Sequence, residues 1–352
     1  MQLKLTSKER LVLYGLARYP GLSDIDLASR INVDRSTIFK SKRKFRDWKL
    51  IRLLNVPSGV AVGAEMLTVL LTKYNPTVTH ELRRKESAYE NWINNPNCVF
   101  QISTDTDSIS MIFSKSLSDY RSNFDPLIDE YMDKKFIEDL FCFHYPFRLT
   151  SYSCDVATAV SNTFDLARAD LPETKIPERG PVKKQRLTDK DKLVLYAFVK
   201  YPGLSDLELS RRTGISRPTI SGKRNKFFQN GMLNREAYID WEKLGCELLS
   251  FYNINISPKA DSGDLIRVYN SLKNIGAPLF NFIQPRDAFG AVLSSSYPEL
   301  KRRMDAETRF LTEQNLIDKR PLHVIVPLRE VKFRKIDYSQ MVKVMLDIRK
   351  EI

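Results

Sequence analysis

LTSKERLVLYGLARYPGLSDIDLASRINVDRSTIFKSKRKF (Leu5–Phe45) lies over LTDKDKLVLYAFVKYPGLSDLELSRRTGISRPTISGKRNKF (Leu187–Phe227) without a gap, at an offset of 182, with about half the positions identical. The register holds beyond this stretch, since Gly63, Glu65 and Pro76 fall on Gly245, Glu247 and Pro258. Further on it drifts by only one or two residues: Cys98–Ser116 lies over Pro278–Ser296, and Tyr145–Leu149 over Val326–Glu330. A repeat this long exceeds any solenoid unit, so it implies a duplicated module of more than one domain. The 352 residues leave room for that.

Each copy opens with three helical patterns. Residues 7–19 gather Leu11, Leu13, Tyr14 and Leu16 on one side, and Pro20-Gly21 ends the run. Ser23 or Asp24 caps a short helix, Ile25–Ile31. Asp34 then stands at the N-cap position of a third, Arg35–Trp48. In the second copy Ser216 takes that place, with Pro218 in the first turn, where a missing N–H costs little. Short extended segments after Leu50 are expected to form a wing.

The remainder of the first copy reads as a strand (Glu65–Tyr74), a charged helix (Glu81–Asn94) and two strands split by TDTD. A helix (Leu117–Met132) and a last strand (Phe136–Tyr145) complete it. That order, β-α-β-β-α-β, is the ferredoxin-like plan, and it recurs from Cys246 to Pro327. The fold class expected is therefore α+β, with two winged helix-turn-helix domains (1–60 and 187–242) and two ferredoxin-like domains (61–150 and 243–330). A helical tail and a Pro- and charge-rich linker fill 151–186, and a C-terminal helix fills 331–352.

The formal net charge is +13, and it is unevenly placed. Residues 1–54 hold thirteen Lys/Arg against five Asp/Glu, and residues 181–235 hold thirteen against four. The rest of the chain is therefore slightly acidic. A polyanion such as double-stranded DNA is the expected partner of such segments, because phosphate neutralisation supplies most non-specific affinity. A membrane surface would want a long amphipathic helix with bulky apolar residues opposite the lysines, which the third helices do not offer. No apolar run is long enough to span a bilayer and the N-terminus has no apolar signal core, so a cytoplasmic location is expected.

On the third helix, at 100° per residue, Ile38, Lys42 and Phe45 share one narrow sector. Arg35, Ser36, Thr37, Lys40, Arg43 and Lys44 lie outside it as candidate DNA contacts. In the second copy Ile220, Arg224 and Phe227 pack. Arg217, Thr219, Gly222, Lys223, Asn225 and Lys226 are the candidates there. The packed sectors match while the outward residues differ, so helices 35–48 and 217–230 are expected to read two non-identical half-sites.

The run SRPTISGKRNKFFQNGMLNREAYIDWEKLGCELLSFYNI (Ser216–Ile254) resembles the Lrp/AsnC family of regulators. There a recognition helix is followed by a glycine turn, a short strand and a Leu-Gly before the sensor domain. The resemblance covers both copies and implies a ferredoxin-like sensor, dimerisation through sensor sheets and a small-molecule effector. Two modules in one chain would make a covalent pseudo-dimer whose halves are free to diverge, with a further homodimer open. Effector contacts in the family come from the loop between the central strands, where a glycine precedes an aspartate. Asp107 and Asp287 match the aspartate but lack the glycine. Thr104, Asp107, Arg286 and Asp287 are thus effector-site candidates and equally plain turn residues.

Two other classes compete. Siroheme decarboxylases resemble Lrp-like proteins, but that chemistry needs acid–base or tetrapyrrole-facing groups. The chain has three histidines, His80, His144 and His323, and no catalytic cluster. It is therefore expected not to be an enzyme and to carry no cofactor. An architectural DNA binder without sequence preference is the other. Cys142, His144 and Cys154 raise the question of a metal, but their spacing lacks the paired pattern of tetrahedral sites, so none is expected.

Overall fold

A computed structural model of the chain describes residues 3–166 and 186–352. The first copy runs α1 (Ser7–Arg18), α2 (Asp24–Ile31), α3 (Arg35–Asp47), β1 (Ile51–Pro57), α4 (Gly59–Val62) and β2 (Met66–Tyr74). It continues with α5 (His80–Arg83), α6 (Ser87–Ile93), β3 (Cys98–Ser103), β4 (Asp107–Ser114), α7 (Leu117–Asp133) and β5 (Ile137–Pro146). Its tail is β6 (Ser151–Cys154) and α8 (Val156–Thr163). The second copy runs α9 (Asp189–Lys200), α10 (Asp206–Thr213), α11 (Arg217–Gln229), β7 (Leu233–Ile239), β8 (Leu248–Asn255) and α12 (Ser262–Leu272). After these come β9 (Ala277–Gln284), β10 (Asp287–Ser294), α13 (Tyr297–Glu313), β11 (Leu322–Pro327), β12 (Phe333–Ile336) and α14 (Ser339–Met345).

The α+β class and both βαββαβ series are present. Four details differ from the sequence expectation. The third helices stop at Asp47 and Gln229, with Trp48 and Asn230 as C-caps. Only one strand, β1 or β7, follows each third helix where a wing was expected. The charged helix is broken in two after Arg83, whose side chain turns inward instead of lying on a solvated face. Each tail carries a strand before its helix, because the tail edge-pairs with a sheet. Most of the linker, 171–185, and the end of the expected tail helix, 167–169, lie outside the described residues.

The chain divides into two compact units, and neither follows the repeat. The first draws on Met1–Leu53, Leu149–Glu178 and Glu236–Arg329. Its sheet has the order β11-β8-β10-β9-β6, all neighbours antiparallel. The four strands of the βαββαβ series thus take the ferredoxin-like order, and β6 extends the free edge. The helices α12 and α13 cover one face, burying Tyr252, Ile254, Val268, Leu272, Ala288, Val292 and Leu300. Tyr252 fits because position 290 is glycine: a Cβ there would fall 2.2 Å from the Tyr252 hydroxyl. The helix α8 packs on both α1 and β9, and the Arg10 guanidinium sits 5.1 Å from the Phe164 ring.

The second unit draws on Leu54–Arg148, Arg179–Arg235 and Glu330–Ile352. Its sheet has the order β12-β3-β4-β2-β5, again antiparallel throughout. Here α6 and α7 cover the face, with Met66, Leu70, Trp92, Ile112, Tyr120 and Phe124 in the core. The three-helix segment is held by α14 against α9 and by a buried bond from Asn55 Nδ2 to the Phe198 carbonyl, 2.8 Å.

Candidate nucleic-acid interface and sensor turns

The third helices are fixed from the first helices outward. Thr6 and Glu9 form a capping box on α1: Thr6 N–H donates to Glu9 Oε2 (2.9 Å), and Glu9 N–H to Thr6 Oγ1 (3.3 Å). Thr188 and Asp191 repeat it on α9. The YPGLSD segment then behaves alike in both copies. Tyr19 and Tyr201 are C-caps, Leu22 and Leu204 N–H close a turn on them, and Ser23 and Ser205 cap the next helix. The second helices end left-handed, at Asn32 (φ +50°) and Gly214 (φ +75°), residue types that tolerate this. Asp34 and Ser216 occupy the third N-caps without a side-chain cap bond.

Four carboxylates pin the third helices. Asp24 pairs with Lys42, and Asp206 with Arg224, whose Nε lies 2.7 Å away. Glu9 pairs with Lys44 at 2.5 Å, and Asp191 pairs with Lys223. Burial pushes the Glu9 and Asp191 carboxyls up, but the bonds from the lysines and the capping threonines outweigh it. Both are held below the usual carboxylate range. The Lys44 ammonium also lies 4.4 Å from the Trp48 ring centroid. Two of the sequence candidates, Lys44 and Lys223, are therefore bound to their own first helix.

The other candidates present themselves differently. Arg35, Ser36, Lys40 and Arg43 are exposed on α3, as are Arg217, Gly222, Asn225 and Lys226 on α11. Thr37 and Thr219 are half-buried, and Thr219 Oγ1 bonds Ser216 Oγ at 2.8 Å. Sequence reasoning passed over Phe39, which is 63% exposed on α3. Its signal was a large apolar residue outside the packed sector. With Asp24, Lys42, Arg43, Arg46 and Asp47 it lines an open cleft in the first unit.

The effector candidates fall on hairpin tips. In the second unit Thr104 is buried, and its Oγ1 accepts from Thr106 N–H (3.2 Å) and Asp107 N–H (2.9 Å). Thr106 Oγ1 donates to Asp107 Oδ2 at 2.6 Å. These bonds close the turn itself. Beneath it lies Arg83, which sequence reasoning missed: its guanidinium donates to the carbonyls of Val78 (2.6 Å), Asp105 (2.9 Å) and Thr104 (2.9 Å). The same group stacks 3.7 Å from the Tyr74 ring centroid. In the first unit Arg286 is exposed at the tip, and Gln284 Nε2 donates to Asp287 Oδ2 at 2.7 Å. The two pairs thus sit on separate sheets.

The helix-facing side of the second unit's sheet is polar for a core. Thr72 Oγ1, Gln101 Oε1 and Trp92 Nε1 are buried without a protein partner. Gln101 lies opposite Ser110 across β3 and β4. His80 is buried against the Tyr89 hydroxyl (2.9 Å), and His144 Nδ1 lies 3.0 Å from Thr68 Oγ1. Burial lowers both imidazoles' affinity for a proton. Cys142 neighbours His144 at 3.5 Å, while Cys154 belongs to the first unit. Among the described residues no cluster of three or more His, Cys, Asp or Glu is placed to hold a metal. Nor, among them, is any helix long and apolar enough to cross a membrane.

The helix-turn-helix segments and ferredoxin-like sheets are the elements that the Lrp/AsnC resemblance implies. No protein-family model matches it. It is 28% identical over 91 residues to an uncharacterised HTH-type transcriptional regulator, PH1055, of Pyrococcus horikoshii. That match takes in 26% of this chain and 57% of the relative's length. Among solved structures, the siroheme decarboxylase NirDL aligns over 97% of this chain and 99% of its own, at a TM-score of 0.52 and 11% identity. The AsnC protein of E. coli aligns over 40% of this chain and 93% of its own, at a TM-score of 0.32 and 20% identity. The NirDL likeness overturns the expectation that the chain is not an enzyme. An enzyme carries the same fold over nearly the same length, so counting histidines was no ground for exclusion.

Proposed function

We propose that the chain is a sequence-specific DNA-binding transcription regulator. In this reading two helix-turn-helix segments and two ferredoxin-like sensor sheets form a covalent pseudo-dimer. Its helices α3 and α11 read two unlike half-sites in the major groove. The observation that carries it is the division of labour on those helices. Lys42, Lys44, Lys223 and Arg224 are consumed by carboxylates of their own domains. Arg35, Lys40, Arg43, Arg217 and Lys226 form no ion pair among the described residues. Cations kept free on the same face of a fixed helix suit phosphates and base edges. The relative from Pyrococcus horikoshii, described as a transcriptional regulator, supports the same reading. A small-molecule effector in the first unit would meet Arg286. Thr104 and Asp107 are already engaged in closing their own turn.

Selection of duplexes from a random pool tests the reading. Two unlike half-motifs at fixed spacing are expected, with affinity falling steeply as salt rises. The double variant Lys40→Ala/Arg43→Ala should weaken binding at least tenfold, at about 1–3 kcal/mol per base contact. No enrichment from the pool would sink sequence specificity and favour an architectural binder.

A second reading is an enzyme of the siroheme decarboxylase type. The partnerless buried polar atoms of the second unit favour it, since a bound polar molecule would satisfy them. Titration with an iron tetrapyrrole, followed by its absorbance, separates the two readings: saturable one-to-one binding supports the enzyme.

A further inference from the structure

On α3 one exposed residue does not fit a helix that merely faces water. Phe39 shows 63% of its surface in the middle of a run whose exposed neighbours are Arg35, Ser36, Lys40, Arg43 and Arg46. The fold does not require it, because the matching position of the second copy is Ser221. Exposed apolar residues elsewhere in the three-helix segments are shared by both copies: Ile25 (61%) matches Leu207 (44%). Phe39 alone is particular to the first. A single ring among cations is not an apolar patch of the size that marks a protein interface. Its neighbours on the helix at i+4 and i+7 are Arg43 and Arg46, which line the same cleft together with Asp24, Lys42 and Asp47. In the major groove the one apolar group on a base edge is the thymine methyl, and a phenyl ring is a side chain that contacts it.

We propose that Phe39 is a specificity-determining residue that reads a thymine methyl in the half-site of α3, and that Ser221 leaves the other half-site without this requirement. The proposal rests on the DNA-binding reading above. It adds one base preference to one half-site and makes the asymmetry of the two helices chemical as well as electrostatic.

The test removes only the methyl. In the selected duplex each thymine is replaced in turn by deoxyuridine, and binding is measured for the full chain and for Phe39→Ser, which installs the second copy's own residue. For the unaltered chain one uracil in the α3 half-site should weaken binding about fourfold, as for one buried methyl. Phe39→Ser should bind thymine and uracil duplexes alike. Absence of any uracil effect, with duplex binding intact, overturns the proposal and leaves the DNA-binding reading standing. A uracil effect that persists in Phe39→Ser assigns the methyl to another side chain and also overturns it. Unchanged duplex binding by Phe39→Ser with altered sedimentation makes the ring a protein contact, again against the proposal. Failure of the chain to bind any selected duplex removes both readings together.

Discussion

A single side chain, Arg83, ties the β3–β4 turn to the β2–α5 loop. Three carbonyls point at one guanidinium, and the residue is 1% exposed. Removing it leaves those acceptors buried and unpaired. Arg83→Met should therefore cost about 3 kcal/mol, read as a lower urea midpoint with unchanged slope. His323 contributes to the pH dependence, alongside His80 and His144, whose proton affinity burial also lowers. Burial, with Arg320 and Lys301 nearby, lowers its pKa to about 4, against about 6.5 in the unfolded chain. The fold thus holds the neutral ring and binds fewer protons than the unfolded state between those values. Stability should be complete above pH 6.5 and fall by about 3 kcal/mol as pH drops to 4. His323→Leu should flatten that fall, and melts at pH 7 and pH 5 would show it. Neither role was legible in the sequence. Arg83 looked like one more charge on a solvated helix, and nothing in FCFHYPF or LHVIVP tells which ring meets a cation. By contrast the packed pair Ile38 and Phe45 could be read from helical spacing alone, because both partners lie in one element.

At the scale of elements, what local signals specify was readable and what distant pairing specifies was not. The shared side of Leu11, Leu13, Tyr14 and Leu16, with Ser23 and the Tyr-Pro-Gly stop, places α1 and α2 within a residue or so. The strands β6 and β12 have no such signal. They exist because β6 aligns Ser153 with Asn281, and β12 aligns Arg334 with Ile102. Pairing across more than a hundred residues leaves no periodicity in so short a segment. The strand β12 also closes the end of α6: Lys335 Nζ donates to the carbonyls of Ile93 (2.8 Å) and Asn95 (3.0 Å). A cation on orphan carbonyls at a helix C-terminus is favourable. Lys335→Met should cost about 1.5 kcal/mol, measured by urea unfolding.

At the scale of the whole molecule, the repeat and the compact units cut the chain in different ways. The sequence repeat separates residues before the linker from residues after it. Each unit takes segments from both sides: β6 and α8 of the first copy complete the β9 edge, and β12 and α14 of the second complete the β3 edge and cover α9. Exchange of tail segments is what two chains of an ordinary symmetric dimer would do, and here one chain supplies both. In the proposed pseudo-dimer the linker would be dispensable for holding the halves together once folding is done, and its covalent role would be to raise their effective concentration. A protease site placed between residues 171 and 185 tests this. After cleavage the two pieces should co-elute as one species down to about 1 μM and separate only in denaturant. Two pieces that part under native conditions would show that the exchanged tails contribute little, and the pseudo-dimer reading would then fail at its structural premise.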